Sequence, residues 1–222
     1  MTPDAKTERA HYARIAIRLV AIVHACERAG ISPAPLQVIH TVAYFADALA
    51  PLWNIPVVEG QLLKKADVPS NPEIQADIDS LVGRGVLIPS SVRHVETSNG
   101  RRIDAKYALN MDFAERILEA ISLDEQFSKE LSFVHEVTLA LSGLGVSGMG
   151  NAVLVDATYA DPLLDFGSIV NLSPDIVPTR TVQVSQRFSQ LMSTERSLSD
   201  AELTHLYVRH LYGLVRTADD DD

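Results

Sequence analysis

The apolar residues of the first fifty positions recur at the spacing of an amphipathic helix. One stripe runs through residues 8–29, where Gly30 provides a stop, and a second runs through residues 35–50, which Pro51 ends. The first stripe comprises Ile15, Leu19, Ile22, Val23 and Cys26, and the second comprises Leu36, Ile39, Val42, Ala43 and Ala46. The pattern predicts two core-facing helices, and a short third helix is predicted over residues 58–66.

The clearest local signal is a helix start followed by an apolar stripe over residues 70–84. Either Asn71 caps this helix with Pro72 at the first helical position, or Ser70 and Glu73 form a capping box. Both alternatives predict that a helix starts here.

The period of the pattern changes sharply near residue 85, from 3.6 residues to 2. Residues 86–88 form a short apolar run, and residues 103–109 alternate as a half-buried strand does. The polar stretch between them contains Asn99-Gly100, a strong signal for a hairpin turn. The sequence therefore predicts a helix followed by a β-hairpin with a charged tip.

The apolar stripes return in the second half of the chain. Residues 111–142 are predicted to form one long helix or two consecutive ones, and the glycine-rich residues 143–150 are interpreted as a linker. A strand is predicted over residues 152–155. Ser199 and Glu202 have the spacing of a capping box and predict a last helix.

The order of elements over residues 34–110 is that of a winged helix, a helix-turn-helix variant followed by a β-wing. The predicted fold is mainly α with a small β-wing, in which a winged helix-turn-helix domain precedes a helical C-terminal region. The predicted parts are an N-terminal helix at 1–33, the winged-helix domain at 34–110, the helical C-terminal region at 111–216 and an acidic tail at 217–222.

The charge of the chain is uneven. Its formal net charge is −10, whereas a free-standing DNA-binding domain usually has a basic surplus. Residues 84–110 hold five cations against two carboxylates, a local charge of +3 that leaves −13 for the rest of the chain. The candidate contact residues of the wing are Arg84, Arg93, Arg101, Arg102 and Lys106. The sequence leaves three alternatives open for them: a DNA backbone, an acidic protein partner, or a solvated hairpin tip.

The helix that a winged helix would place in the DNA major groove carries no cation. Residues 72–83 hold Glu73, Asp77 and Asp79 instead, and phosphate groups would repel these carboxylates. Any DNA contact is therefore expected at the wing, and the acidic helix is better suited to a protein partner.

The sequence contains no motif that carries catalysis or binds metal, so neither a cofactor nor a metal is expected. The seven histidines lack the spacing of a zinc site, and each is interpreted as a surface or core residue. The lone cysteine, Cys26, lies on an apolar stripe and is expected to be a buried thiol. Two alternatives stay open for Asp156, Asp161 and Asp165: they are part of an enzyme's site, or they are acidic residues of a solvated surface.

The N-terminal residues give no sign of export. Residues 1–10 are polar and lack the apolar core of a signal peptide. No apolar run approaches the ~20 residues that a membrane span needs. A cytoplasmic location without membrane contact is therefore expected.

The segment Pro72–Ile88 resembles the middle components of ABC-three component systems. In that group a Pro-x-Ile/Leu-Gln helix runs into an Asp-x-Leu-Val-x-x-Gly turn and then the wing, and residues 72–75 and 79–85 follow this pattern. Residues 61–65 and 107–109 are similar as well. The resemblance covers about residues 30–118, less than half of the chain.

The resemblance implies a non-catalytic accessory or adaptor subunit that partners an SMC- or Rad50-like ATPase in bacterial defence against phage or plasmids. The ATP chemistry and the DNA clamp would belong to the partner, so DNA would be reached through the complex. The alternative is a winged-helix DNA-binding transcriptional regulator, in which the helix after the wing forms a homodimer. The acidic helix at 72–83 argues against that alternative.

Overall fold

The computed structural model describes residues 4–65, 71–97, 100–173, 177–192 and 197–220. The fold is mainly helical with a small amount of antiparallel sheet, as the sequence predicts. The helices are α1 (Asp4–Arg28), α2 (Leu36–Ala48), α3 (Pro72–Gly83), α4 (Met111–Ser122), α5 (Glu125–Ser142), α6 (Gly145–Leu154), α7 (Arg180–Met192) and α8 (Asp200–Asp220). The strands are β1 (Ala34–Pro35), β2 (Gln61–Leu63), β3 (Leu87–Thr97), β4 (Gly100–Leu109) and β5 (Ile169–Asn171), and a 3-10 helix at Ala50–Trp53 follows α2.

Both α1 and α3 end where a glycine enters the left-handed region. Gly30 has φ +76°, and the N–H of Ile31 donates to the carbonyl of Cys26 at 2.8 Å. Gly85 has φ +74°, and the N–H of Val86 donates to the carbonyl of Leu81 at 2.9 Å. The six-to-one hydrogen bond is that of a Schellman motif, which satisfies carbonyls that the helix leaves unpaired.

The start of α3 follows one of the two predicted capping alternatives. Asn71 Oδ1 accepts a hydrogen bond from the N–H of Glu73 at 2.9 Å, and Pro72 occupies the first helical position. Ser70, which the other alternative needs, lies outside the described residues.

Three strands form an antiparallel sheet in the order β1-β4-β3. Ala34 pairs with Tyr107, and Leu87 pairs with Leu109. The β3–β4 hairpin is longer than predicted, because both strands continue through the polar stretch between residues 88 and 103. That part of the hairpin has little core to cover, so its residues do not alternate and the sequence gives no strand signal there.

The predicted turn of this hairpin falls on the gap between the two strands. Thr97 pairs with Gly100. Asn99, the first residue of the predicted turn dipeptide, lies outside the described residues. A bulge between Ser90 and Arg93 interrupts the ladder.

The helix predicted over residues 58–66 is wrong. Residues 61–63 form β2 instead, and they pair antiparallel with β5, where Leu63 lies opposite Ile169. A strand of three residues is held by its partner, and this partner is about a hundred positions away, where no local pattern can indicate it.

The linker at 143–150 and the strand at 152–155 are also wrong. A two-residue break follows α5, and residues 145–154 then form α6. Met149, Ala152 and Val153 are buried on one face of this helix. The burial of that face outweighs the low helix propensity of the glycines.

The predicted helices of the second half are otherwise confirmed. Residues 111–142 form two consecutive helices, and Asp124 caps the second by accepting the N–H groups of residues 126 and 127. The predicted box at the start of α8 is present. Ser199 N–H donates to Glu202 Oε2 at 2.9 Å, and Glu202 N–H donates to Ser199 Oγ at 3.3 Å.

One hydrophobic core extends from α1 to α8 and includes residues on both sides of position 110. Helix α1 packs against α5, while α2 packs against α5 and α6. Within the described parts of the chain no single helix is long and apolar enough to cross a membrane. Length and composition alone would allow α5 and α6 to do so together, although they are bent by 105° at their junction.

Candidate functional site

The five cations chosen from the sequence lie on the β3–β4 hairpin or at its base. Arg84 directly follows α3, while Arg93 and Lys106 are exposed on β3 and β4. Arg101 and Arg102 are residues of β4, and the structure describes their backbone but not their side chains.

Part of the positive charge of the hairpin is already paired. The Nε and Nη2 atoms of Arg93 donate to Asp104 Oδ2 at 3.1 and 2.8 Å, and these two residues are opposite each other in the ladder. The strand register also sets Glu96 opposite Arg101. An exposed ion pair contributes only ~0.2–1 kcal/mol to stability, but it does lower the local charge that a phosphate backbone would meet.

The hairpin also exposes large apolar side chains. Ile88, Val92 and Ile103 are 50%, 61% and 58% exposed. Ile88 pairs with Ala108, and Ile103 lies five positions from Ala108 on β4, so Ile88 and Ile103 lie on opposite faces of the hairpin. The hairpin therefore exposes apolar side chains on both faces, which is less typical of a surface that contacts a DNA backbone.

The outer side of α3 is acidic, as the sequence predicts. Glu73 and Asp79 are exposed, and Gln75 Nε2 donates to Asp79 Oδ1 at 2.9 Å. Burial, and then the neighbouring Glu73, raise the pKa of Asp77. A helix with this composition would bring negative charge against the phosphates of a major groove.

The three aspartates of the enzyme hypothesis have different surroundings. Asp156 is completely buried and accepts hydrogen bonds from several donors. These are Tyr44 OH and Tyr207 OH at 2.6 Å, Thr181 Oγ1 at 2.8 Å, and the N–H groups of Thr158 and Tyr159 at 2.9 and 3.2 Å. Its lone pairs are occupied by the protein itself, which is the arrangement of a structural carboxylate.

The other two aspartates differ from Asp156 in their contacts. Asp161 Oδ2 pairs with Arg180 Nε at 2.8 Å, and Asp165 is exposed. The alternative of solvated acidic residues holds for Asp165 and is wrong for Asp156, which is buried.

A cavity of about 380 Å³ lies between α1 and α5. It is lined by polar and apolar groups, among them His24, Arg28, Ser128 and His135. Burial, and then the nearby charge of Arg28, lower the pKa of both histidines.

A second polar cluster joins three distant segments. His11 on α1, Glu59 before β2 and Glu73 on α3 each offer a metal-ligand atom, and these atoms lie within 4.8 Å of one another. Burial raises the pKa of Glu59 to about 7, against the lowering effect of its hydrogen bond from Asn71. Sequence analysis missed this cluster because its residues are 48 and 14 positions apart, and only the packing of α1 against α3 brings them together.

Comparisons of this chain with protein families, with curated proteins and with solved structures find no match.

Proposed function

We propose that this chain is a cytoplasmic, non-catalytic adaptor subunit of an SMC- or Rad50-like ATPase complex in bacterial defence against phage or plasmids. It would bind its partner through a winged helix at residues 34–110. The resemblance of the segment 72–88 to the middle components of ABC-three component systems supports the partner class.

The order of elements supports the winged helix. The first helix of the winged-helix order is α1, which lies before residue 34, and β1, α2, α3, β3 and β4 follow it. The sheet order β1-β4-β3 sets the first strand beside the last. The connection between α2 and α3 is a departure from the pattern. It runs from residue 49 to residue 71 and contains β2, whereas a helix-turn-helix uses three or four residues there.

The observation that carries the partner-binding function is the surface of the hairpin. Ile88, Val92 and Ile103 are exposed there, and Arg93 is already bonded to Asp104. Interfaces between proteins combine exposed apolar side chains with arginine, whereas DNA affinity depends on unpaired cations that reach phosphates. The acidic outer side of α3 also favours a protein partner over DNA.

Co-expression with the neighbouring ATPase gene tests the proposal. We expect a stable complex that survives size-exclusion chromatography. The double variant Val92→Asp and Ile103→Asp should weaken it at least ~10-fold, because two charges would be desolvated at the interface. Leu123→Asp is the matched control, since Leu123 is 88% exposed at the end of α4, away from the hairpin. If the wild-type chain forms no complex with that ATPase, the proposal is wrong.

The transcriptional regulator is the second candidate, and the exposed Arg84 and Lys106 favour it. In that case the isolated chain would bind its own promoter with nanomolar, sequence-selective affinity. The variant Arg84→Ala with Lys106→Ala would then reduce the slope of log K against log salt by about 1.8, at ~0.9 per phosphate contact. Such a result would rank the regulator above the adaptor.

A further inference from the structure

We propose that His11, Glu59 and Glu73 form a binding site for a divalent transition-metal ion of the zinc class. The three residues come from α1, from the segment before β2 and from the first turn of α3. The proposal does not rest on the adaptor function: none of the three lies on the hairpin, although Glu73 also belongs to the acidic outer side of α3.

The distances fit a zinc site after a small closing movement. His11 Nε2 lies 3.6 Å from Glu59 Oε1, and the ligand atoms of all three residues lie within 4.8 Å of one another. Two ligands bonded to Zn²⁺ at ~2.0–2.1 Å and at the tetrahedral angle are about 3.3 Å apart. His11 and Glu73 are exposed side chains, so they have room to close around an ion.

Glu59 is held in place from two sides. Its backbone N–H donates to Asp47 Oδ2 at 2.9 Å, and Asn71 Nδ2 donates to its Oε2 at 3.0 Å. The other carboxylate oxygen, Oε1, is shielded from solvent and has no hydrogen-bond partner in the described structure. This is the oxygen nearest to His11, and a shielded carboxylate oxygen without a donor is a costly arrangement that a cation would relieve.

Asn71 also holds the backbone of the second acidic residue. Its Oδ1 caps α3 by accepting the N–H of Glu73, while its Nδ2 binds Glu59. One side chain therefore links the two acidic ligands. Outer hydrogen-bond partners of this kind orient metal ligands, and their loss typically lowers metal affinity by ~10–100-fold.

The donor set selects the class of ion. An imidazole nitrogen with two carboxylates suits Zn²⁺ and its neighbours, whereas Mg²⁺ and Ca²⁺ prefer oxygen donors throughout. Three protein ligands leave the fourth tetrahedral position to water. The bound ion would tie the N-terminal part of α1 to the start of α3.

Calorimetry on the full chain, stripped with a chelator and titrated with ZnCl₂, tests the site. We expect one equivalent of Zn²⁺ to bind, and MgCl₂ in excess not to displace it. His11→Ala and Glu59→Gln should each lower the affinity at least ~10-fold. His205→Ala is the matched control, because His205 and Glu136 form a partly exposed pair at 2.9 Å that belongs to no three-ligand group among the described residues. This control should bind Zn²⁺ like the wild type.

Asn71→Ser separates the two roles of Asn71, since serine keeps a capping oxygen but has no amide to hold Glu59. We expect weaker Zn²⁺ binding with the apo-protein melting temperature lowered by only a few degrees. Circular dichroism of each chelated variant shows whether it is folded, and X-ray absorption of the Zn²⁺ complex should show nitrogen and oxygen ligands without sulfur. Wild-type affinity in a folded His11→Ala or Glu59→Gln variant would overturn the proposal, as would loss of binding in His205→Ala.

Discussion

The carboxylates buried among α1, α2 and α5 face a guanidinium, whereas the carboxylate buried where α2, α7 and α8 meet faces hydroxyl and amide donors. In the first centre Arg18 bonds to Glu130 through Nε and to Asp47 at 3.4 Å, and all three side chains are nearly inaccessible. In the second centre Tyr44, Tyr207 and Thr181 donate to Asp156. The first centre has one buried cation for two carboxylates, with the N–H groups of residues 58 and 59 as further donors to Asp47, and the second distributes its support over neutral groups alone.

The two centres also differ in which charges shift the pKa of their groups. Burial raises the pKa of Asp47, and Arg18 opposes that shift more than any other group. In the second centre burial, and then the charge of Asp156, raise the pKa of Tyr44 and of Tyr207 above the ordinary value. Their hydroxyl groups therefore stay protonated and continue to donate. Loss of one residue should accordingly be severe in the first centre and partial in the second.

The largest effect is expected from Arg18→Met. It leaves Asp47 and Glu130 buried near each other without their cation, which should lower the free energy of unfolding by about 3–5 kcal/mol. Urea denaturation measures the change. Arg14→Met is the control, because Arg14 is partly exposed and lies 3.7 Å from Glu130, and it should cost about 1 kcal/mol or less. A loss below 1 kcal/mol in Arg18→Met would contradict the dependence on one cation.

Tyr207→Phe should have a smaller effect, about 1.5–3 kcal/mol, because it removes one of several hydrogen bonds to a charged group. Tyr44→Phe should have a similar effect by the same reasoning. Tyr12→Phe is the control at an exposed position and should change stability by less than ~0.5 kcal/mol. If Tyr207→Phe or Tyr44→Phe destabilises the chain as much as Arg18→Met, the support of Asp156 is not shared among several donors.

A pH titration extends the comparison to histidines that lie outside both centres. The pKa of His24 and of His135 is lowered in the folded chain, mainly by burial, so the folded state binds fewer protons there than the unfolded state. Their contribution is complete above pH ~6.5 and is lost as the pH falls below that value. The two histidines should therefore lower the free energy of unfolding between pH 7.5 and 5, whereas Glu59, whose pKa is raised to about 7, acts in the opposite direction. The wild type should lose more stability over this range than His24→Gln with His135→Gln, and equal slopes would contradict this assignment.

The thiol of Cys26 is a probe of unfolding that requires no substitution. Its side chain is fully buried as predicted, and burial raises its pKa to about 12. A thiol reagent at pH 8 should leave the folded chain unmodified and label it only after unfolding. The labelling rates of the variants should then follow their loss of stability, with Arg18→Met fastest. Rapid labelling of the wild type would show that the thiol is accessible.

The sequence predicts those parts of the fold that depend on residues close together in the chain. The stripe from Ile15 to Cys26, the cap at Asn71 and the box at the start of α8 each lie within a few turns of chain, and all three are present. Their physical basis is local, since helix period and capping need only residues three or four positions apart.

Patterns of neighbouring residues do not predict either buried centre or the metal cluster. Arg18 and Glu130 are 112 positions apart, and so are Tyr44 and Asp156. The charge of the hairpin could be counted from the sequence, but the bond between Arg93 and Asp104 depends on a bulge that shifts the register. The sequence therefore shows which residues carry charge, and the structure shows which of these charges are paired.

The pairing of β2 with β5 also bears on how the chain is made. Residues 61–63 leave the ribosome about a hundred residues before their partner strand at 169–171. At ~5–20 residues per second, this interval is about 5–20 s. During it the backbone of β2 has no strand to bond, and unpaired edges are sites of wrong association. The first third of the protein therefore cannot reach its final structure until most of the rest has been synthesised.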